Sequence, residues 1–475
     1  MTPLGKNLVE DDLFDPFIKE TRPALESLLV DTEQEIARLL QSPISSLPPE
    51  TLSEIFMLCC QPKYNAIGGV DSQGICPLRL SAVCKAWRDL AWTTRRLWSV
   101  IILTKSNPYA SHLGRILASW IERAGNQPLS IRYEVQSDRL LARLIQETSK
   151  WMNVSIFLPS ESLSVVKKYK YFPLLEHFSI RVRAGPGSDP GDLGDLDIFN
   201  CFSLPNIIRL HVPKYLRCFK SNLMWSQLRT FSASTMGHEQ LCDILRLARF
   251  LEVFNVNSLE LHTRGNILQT VDHSYLRCLV MKEVDSGVLD RLLSRPGIST
   301  PNLEDLTIEI DESGWHTYRP QSTFLSNFTT SLHQLRRFKV KYDGDYEPEW
   351  VFHWLLNISS LIELDVQTST AAIKNVVSAL GNSASTEIKT EYLPLLVDIR
   401  ITLEHDYEDD LLMKDIPEML AYRSSGLSPS ISRLESASIY RTSVSFSKED
   451  FEAFQTASLG DLAFTMVDRK GAHRI

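Results

Sequence analysis

The sequence has little of what marks a secreted protein, a membrane protein or an enzyme. Its eight cysteines, Cys59, Cys60, Cys76, Cys84, Cys201, Cys218, Cys242 and Cys278, show no CxxC spacing and no paired-ligand grouping. That argues against a disulfide framework or a zinc module and leaves reduced, buried thiols as the expectation. No apolar run approaches the ~20 residues that a membrane helix needs. The opening MTPLGKNLVEDDLF is acidic and has no apolar h-region, so a secretory signal is not expected. Lys and Arg are scattered through a chain of net charge −8 and pI near 5.8, without the basic stripe of a nucleic-acid footprint. Arg95-Arg96 is too short to count as one.

Catalytic constellations are missing as well. There is no GxSxG, no HExxH, no Walker A loop and no GxGxxG behind a strand. His238-Glu239 lacks the second histidine of a zinc motif, and the eleven histidines are dispersed. The Gly-, Pro- and Asp-rich stretch 183–197 lacks the alternating acidic ligands of an EF-hand and reads as a surface loop, as does LEHDYEDD at 403–410. The expectation is an intracellular, cytoplasmic or nuclear protein that is not an enzyme. It needs no metal or cofactor and binds neither membrane nor nucleic acid.

What is present is room for a core and a strong organisation. The chain has 475 residues, of which 43% are hydrophobic, enough for two or more domains. Residues 1–16 carry Pro3, Gly5 and Pro16 with no periodicity and read as a flexible tail. From 17 to 41, Leu25, Leu28, Leu29, Ile36, Leu39 and Leu40 fall at helical spacing. They predict one helix that packs on, or leads into, the unit beginning at Ser42.

The segment 42–98 predicts a small all-helical unit. Serines before a proline pair, with Glu50 just inside, have the chemistry of a helix start. Leu52, Ile55, Phe56 and Cys59 then line one side. Leu80, Val83, Cys84, Trp87, Leu90 and Ala91 repeat the pattern, and Leu97-Trp98 closes the unit. Helices this short cannot bury so many large side chains among themselves and need a partner or a neighbouring domain.

The ordered set Leu47-Pro48-Pro49-Glu50, Leu52, Ile55-Phe56, Val83-Cys84-Lys85, Trp87-Arg88, Leu90-Ala91 and Leu97-Trp98 resembles an F-box, especially the F-box-like families of fungi. The resemblance implies docking to a Skp-type adaptor of a cullin-based, SCF-type ubiquitin ligase through Leu47, Pro48, Leu52, Ile55, Val83 and Trp87. The segment 61–76 is longer than the tight turn of a compact F-box.

Residues 99–475 repeat themselves. A string apolar-x-x-apolar-x-apolar recurs with first residues at Trp151, Leu175, Ile207, Leu228, Leu251, Leu276, Leu303, Leu335, Leu361, Leu396 and Leu434, roughly 21 to 38 residues apart. Helical patterns at 238–250, 286–295, 348–358, 371–380 and 411–423 fill the intervals. Ser99 to Leu103, the helix 112–125 and Leu129 to Val135 begin the series. The string is similar to an irregular leucine-rich repeat without its Asn or Cys ladder. The expected fold is α/β: the short F-box-like unit, then a leucine-rich-repeat-like solenoid with a parallel β-sheet on the concave face and helices on the convex face.

Alternate strand residues then point away from the core. They give a candidate face for a protein substrate: His177, Arg181, Arg209, His211, Asn255, Asn257, Arg337 and Lys339. Lys339 is expected between Thr307 and Asp365, and Arg337 between Asp305 and Glu363. That pattern fits either a self-neutralising ladder or a recognition surface. His177, Arg181, Arg209 and His211 have fewer acidic neighbours and suit an acidic or phosphorylated ligand better. The expected function is substrate recognition for the ubiquitin ligase. The alternative is a repeat scaffold whose degenerate F-box acts outside ubiquitination. A small-molecule site would need a convergent apolar pocket, and the inferred face is polar.

Overall fold

The structure, a computed structural model, describes residues 26–33, 43–60, 75–104, 112–183, 202–212, 224–260, 271–284, 288–289, 292, 298–311, 332–343, 349–368, 370–381, 392–403, 409–426, 431–442, 445–457, 460–469 and 471–474. The expected tail 1–16, most of the helix 17–41, nearly all of 61–76 and 183–197, and residues 404–408 of the stretch 403–410 lie outside them. Within 17–41, residues 26–33 form helix α1, exposed along its length, Leu28 and Leu29 included.

The protein is mixed α/β with a large, mostly parallel sheet. Fifteen strands follow one another in chain order: β1 (Val100–Leu103), β2 (Leu129–Tyr133), β3 (Trp151–Pro159), β4 (His177–Arg183), β5 (Arg209–Val212), β6 (Thr230–Gly237) and β7 (Val253–Glu260). The order continues with β9 (Cys278–Val284), β11 (Asp305–Asp311), β12 (Arg337–Asp343), β13 (Glu363–Thr368), β14 (Asp398–Leu403), β15 (Ser436–Arg441), β16 (Ala463–Asp468) and β17 (Gly471–Arg474). All pairings are parallel except β16 with β17. Two short strands, β8 (Val271–Asp272) and β10 (Ile298–Ser299), pair separately.

The recurring string explains this regularity. Its first leucine is fully buried in unit after unit, as at Leu175, Leu251, Leu303 and Leu361. The carbonyl one residue later accepts two N–H groups from the next unit. Glu176 accepts from Ile208 and Arg209, Arg229 from Glu252 and Val253, and Glu304 from Arg336 and Arg337. The same pair of bonds starts nine successive strand pairings, from the carbonyl of Glu176 to that of Val397. Each strand is thus aligned with the last before its own ladder begins, so uneven intervals between strands do not disturb the register.

Strand residues alternate between core and surface, and helices lie against the buried face. The helix Leu113–Ala124 buries Leu113, Leu117, Trp120, Ile121 and Ala124. Gly125 ends it at φ 59°, giving its N–H to the carbonyls of Ile121 and Glu122 at 3.1 Å. A side chain there would be strained and would crowd Arg95. The expected helices at 238–250, 348–358, 371–380 and 411–423 occur as His238–Leu247, Glu349–Leu355, Thr370–Leu380 and Asp409–Ser424. Of the stretch 286–295, residues 288, 289 and 292 are described and are helical.

Two further helices longer than a single turn, Asp138–Ile145 and Lys448–Thr456, and the closing pair β16–β17 were not expected. Their signals were in the sequence. Ser137 caps the first helix, accepting from Leu140 N–H, and Ser447 with Asp450 forms a capping box on the second.

The helical unit shares this core without a break, from Leu52 through Trp98 to Ile101 and beyond. It consists of α2 (Pro49–Cys59), α3 (Pro77–Ser81) and α4 (Lys85–Thr93). Two expectations are corrected here. The serines before α2 do not cap it: they sit in a 3-10 turn, Pro43–Ser46, and Pro48 holds the cap position. The second pattern is not one helix, because Val83 and Cys84 occupy the turn between α3 and α4, where Cys84 Sγ accepts from Trp87 N–H at 3.5 Å.

Trp98 ties the unit to the sheet. Its Nε1 donates to Ala91 O at 2.7 Å and its ring meets Trp120 edge-on at 4.7 Å. Trp120 Nε1 in turn donates to Val100 O in β1. Arg123 stacks over both Trp92 and Trp98, 4.7 and 4.6 Å from the ring centroids. Burial lowers its pKa from the ordinary value.

Candidate functional site

Two surfaces carry the residues singled out from the sequence. On the helical unit the six are not equivalent. Leu52 is 8% exposed and belongs to the core. Trp87 is half-buried, its ring 4.9 Å from Phe56. Leu47 and Ile55 are half-buried, Pro48 is exposed, and Val83 is 60% exposed. Leu58, which the sequence pattern did not single out, is 78% exposed on the same α2. Its position one residue before Cys59, off the buried stripe, was the available signal.

Hydrogen bonds hold this unit in shape. Arg88 Nε donates to Ser81 O at 2.9 Å, joining α4 to α3, and Ser53 Oγ lies 3.2 Å from Thr94 Oγ1. Burial pushes the Cys60 thiol up to about 12, with Cys76 and Cys59 adding to the shift, so it stays protonated.

On the sheet, the outward rows follow the expected register. Thr307, Lys339 and Asp365 are directly opposite one another, as are Asp305, Arg337 and Glu363. In the later strands the charges neutralise one another. Lys282, Glu309, Lys339, Asp365 and Arg400 form a chain of ion pairs at 3.7, 3.6, 3.9 and 3.5 Å. Arg337 grips both carboxylate oxygens of Asp305, which raises its pKa, hydrogen bonding being the main cause. Arg337 and Lys339, two of the candidate residues, are thus already engaged.

The earlier strands differ. One row runs Val100, Ser130, Asn153, His177, Arg209, Thr230, and the next runs Ile102, Arg132, Ser155, Ser179, His211, Ser232. Arg132 is neutralised by Glu134 at 2.7 Å. Arg181 stands over Phe157, 5.6 Å from its centroid, and Arg209 is exposed. Neither forms an ion pair among the described residues. Burial, then Arg209, lowers the His177 pKa against a smaller opposite effect of Glu176. Burial, then Arg181, lowers that of His211. Both imidazoles are therefore neutral near pH 7.

These rows line an open groove of about 380 Å³, and its walls are largely apolar. Val100 and Ile102 contribute at one edge, where the expectation was a wholly polar face. Asn153 Nδ2 donates to Ser130 Oγ at 3.1 Å, while its buried Oδ1 accepts no hydrogen bond. The same holds for Oδ1 of Asn255 on β7, whereas Asn257 on that strand is exposed.

Among the described residues no group of three His, Cys, Asp or Glu side chains is placed to hold a metal ion. No described helix is long and apolar enough to cross a membrane. The chain matches no family model, and no curated protein is similar to it.

Proposed function

We propose that the chain is a non-catalytic substrate-recognition adaptor of an SCF-type ubiquitin ligase. The F-box-like unit α2–α4 docks the Skp-type subunit, and the outward face of a leucine-rich-repeat-like solenoid holds a protein substrate. The observation that carries this reading is the exposure of large apolar side chains, Val83 and Leu58, on a small helical unit fixed to one end of the long sheet. A monomeric unit gains nothing from such exposure, and a docking partner does. The ordered resemblance to an F-box names the kind of partner.

The test is capture of a purified Skp-type adaptor by the full chain, beside Leu58→Asp and Val83→Asp variants. Both positions are exposed, so the variants keep the fold, which thermal unfolding checks. Capture by the wild type and its loss in both variants supports the adaptor. The long connection from Cys60 to Cys76 between α2 and α3 favours a second reading, a repeat scaffold that acts outside ubiquitination. A folded wild type that captures nothing selects that one.

A further inference from the structure

Two independent features of the early sheet face ask for two different things from one ligand. Val100 and Ile102, on β1, offer apolar surface at one edge of the groove. Arg209 on β5 and Arg181 on β4 are guanidinium groups with no carboxylate partner among the described residues. Val100, Asn153 and Arg209 belong to one continuous cross-strand row.

We propose that this face binds an acidic peptide lying across the strands. An apolar side chain rests on Val100 and Ile102, and carboxylates pair with Arg209 and Arg181. The inference deepens, and rests on, the reading of the sheet face as a substrate surface. Charge complementarity favours an acid. Two guanidinium groups on adjacent strands favour a chain with two carboxylates over a fatty acid, which carries one. The groove is open along its length, which suits an extended segment better than a small molecule enclosed on all sides.

The row also sets a spacing. From Val100 to Arg209 there are four strand steps of ~4.8 Å, or ~19 Å, which about six extended residues span at ~3.3 Å each. The first acidic residue therefore belongs about five or six positions from the apolar one. His177 and His211 lie beside the path and present neutral rings, so the fixed positive charge comes from the arginines alone.

The experiment is fluorescence anisotropy on the full chain with a labelled peptide in which a run of four serines separates a leucine from two glutamates. Saturable binding is expected. It weakens about tenfold or more, ~1.4 kcal/mol, when the glutamates become glutamines, when leucine is moved next to them, and in the Arg181→Ala/Arg209→Ala variant. The Arg337→Ala/Lys339→Ala variant binds as the wild type does. Absence of binding, equal binding by the arginine variant, or full displacement of the peptide by octanoate overturns the proposal. Loss of peptide binding alongside intact capture of the Skp-type adaptor discards this inference and leaves the adaptor reading standing. Peptide binding without adaptor capture does the reverse.

Discussion

The two halves of the outward face are built on one backbone pattern and have opposite electrostatic character. From β9 to β14 the row residues Lys282, Arg337, Lys339, Lys341 and Arg400 face Asp305, Glu309, Glu363, Asp365 and Asp398, five cations against five anions. From β2 to β5, Arg132, Arg181, Arg183 and Arg209 face Glu134 alone, and Arg132 takes it. A sheet that satisfies its charges internally offers an incoming ligand only exchange of one partner for another. A sheet that leaves guanidinium groups open offers a gain. Position along the same repeat therefore does not decide which residues are available. Cross-strand neighbours do.

The largest effect is expected where the early half meets the helical unit. Trp98→Ala removes the ring between Trp120 and Arg123 together with the bond to Ala91 O, and should cost about 3–5 kcal/mol in denaturant unfolding. A loss below about 1 kcal/mol would mean that the unit is not held through this residue.

Next comes a direct break of the contrast. Arg181→Ala/Arg209→Ala should lower affinity for the leucine–glutamate peptide about tenfold, while Arg337→Ala/Lys339→Ala leaves it within about twofold. Equal losses in the two halves would erase the distinction. The contrast should also invert by design. Asp305→Ala/Asp365→Ala frees Arg337 and Arg400 while Lys339 keeps Glu309, and is expected to add weak binding of a polyglutamate peptide, about threefold over wild type and screened away by ~0.5 M salt.

The smallest effects are in pH. His177 and His211 have pKa values below the ordinary 6.5, so they charge only as pH falls through the lowered values. Peptide affinity should rise about two- to threefold between about pH 7 and 5.5, and be flat in a His177→Gln/His211→Gln variant. The stability these neutral rings contribute is present above 6.5 and lost as pH falls. Asp365 runs the other way. Burial raises its pKa above 3.8 despite Lys339 and Arg400, so its contribution is present below 3.8 and lost as pH climbs through the raised value. Urea midpoints for Asp365→Asn should lack that loss. Together the two measurements assign opposite acid responses to the two halves.

Much of the architecture was legible. Each buried leucine of the recurring string, from Leu175 to Leu434, opens a strand, and the expected opposition of Arg337 to Asp305 and Glu363 is the one found. Alternation with a period of two fixes which side chains face out, and the repeated pair of carbonyl-accepted bonds fixes the register. Splitting of the second helical pattern at Val83 and Cys84 was not legible, because apolar spacing continues across a turn that the backbone makes. Nor was the serine role before α2, where a proline at the cap displaced the usual donor–acceptor arrangement.

The site was legible as composition and not as geometry. Arg181, Arg209, His177 and His211 could be named as an under-neutralised group from the sequence. The buried, unpartnered Oδ1 of Asn153, the apolar edge of Val100 and Ile102, and the placement of Arg123 over Trp92 and Trp98 could not. Strand identity, order and facing follow from short-range periodicity, which the chain carries residue by residue. Partnering of charges and acceptors depends on ångström-scale contacts between residues tens of positions apart, joined by intervals of unequal length, and only the packed sheet brings those groups within reach of one another.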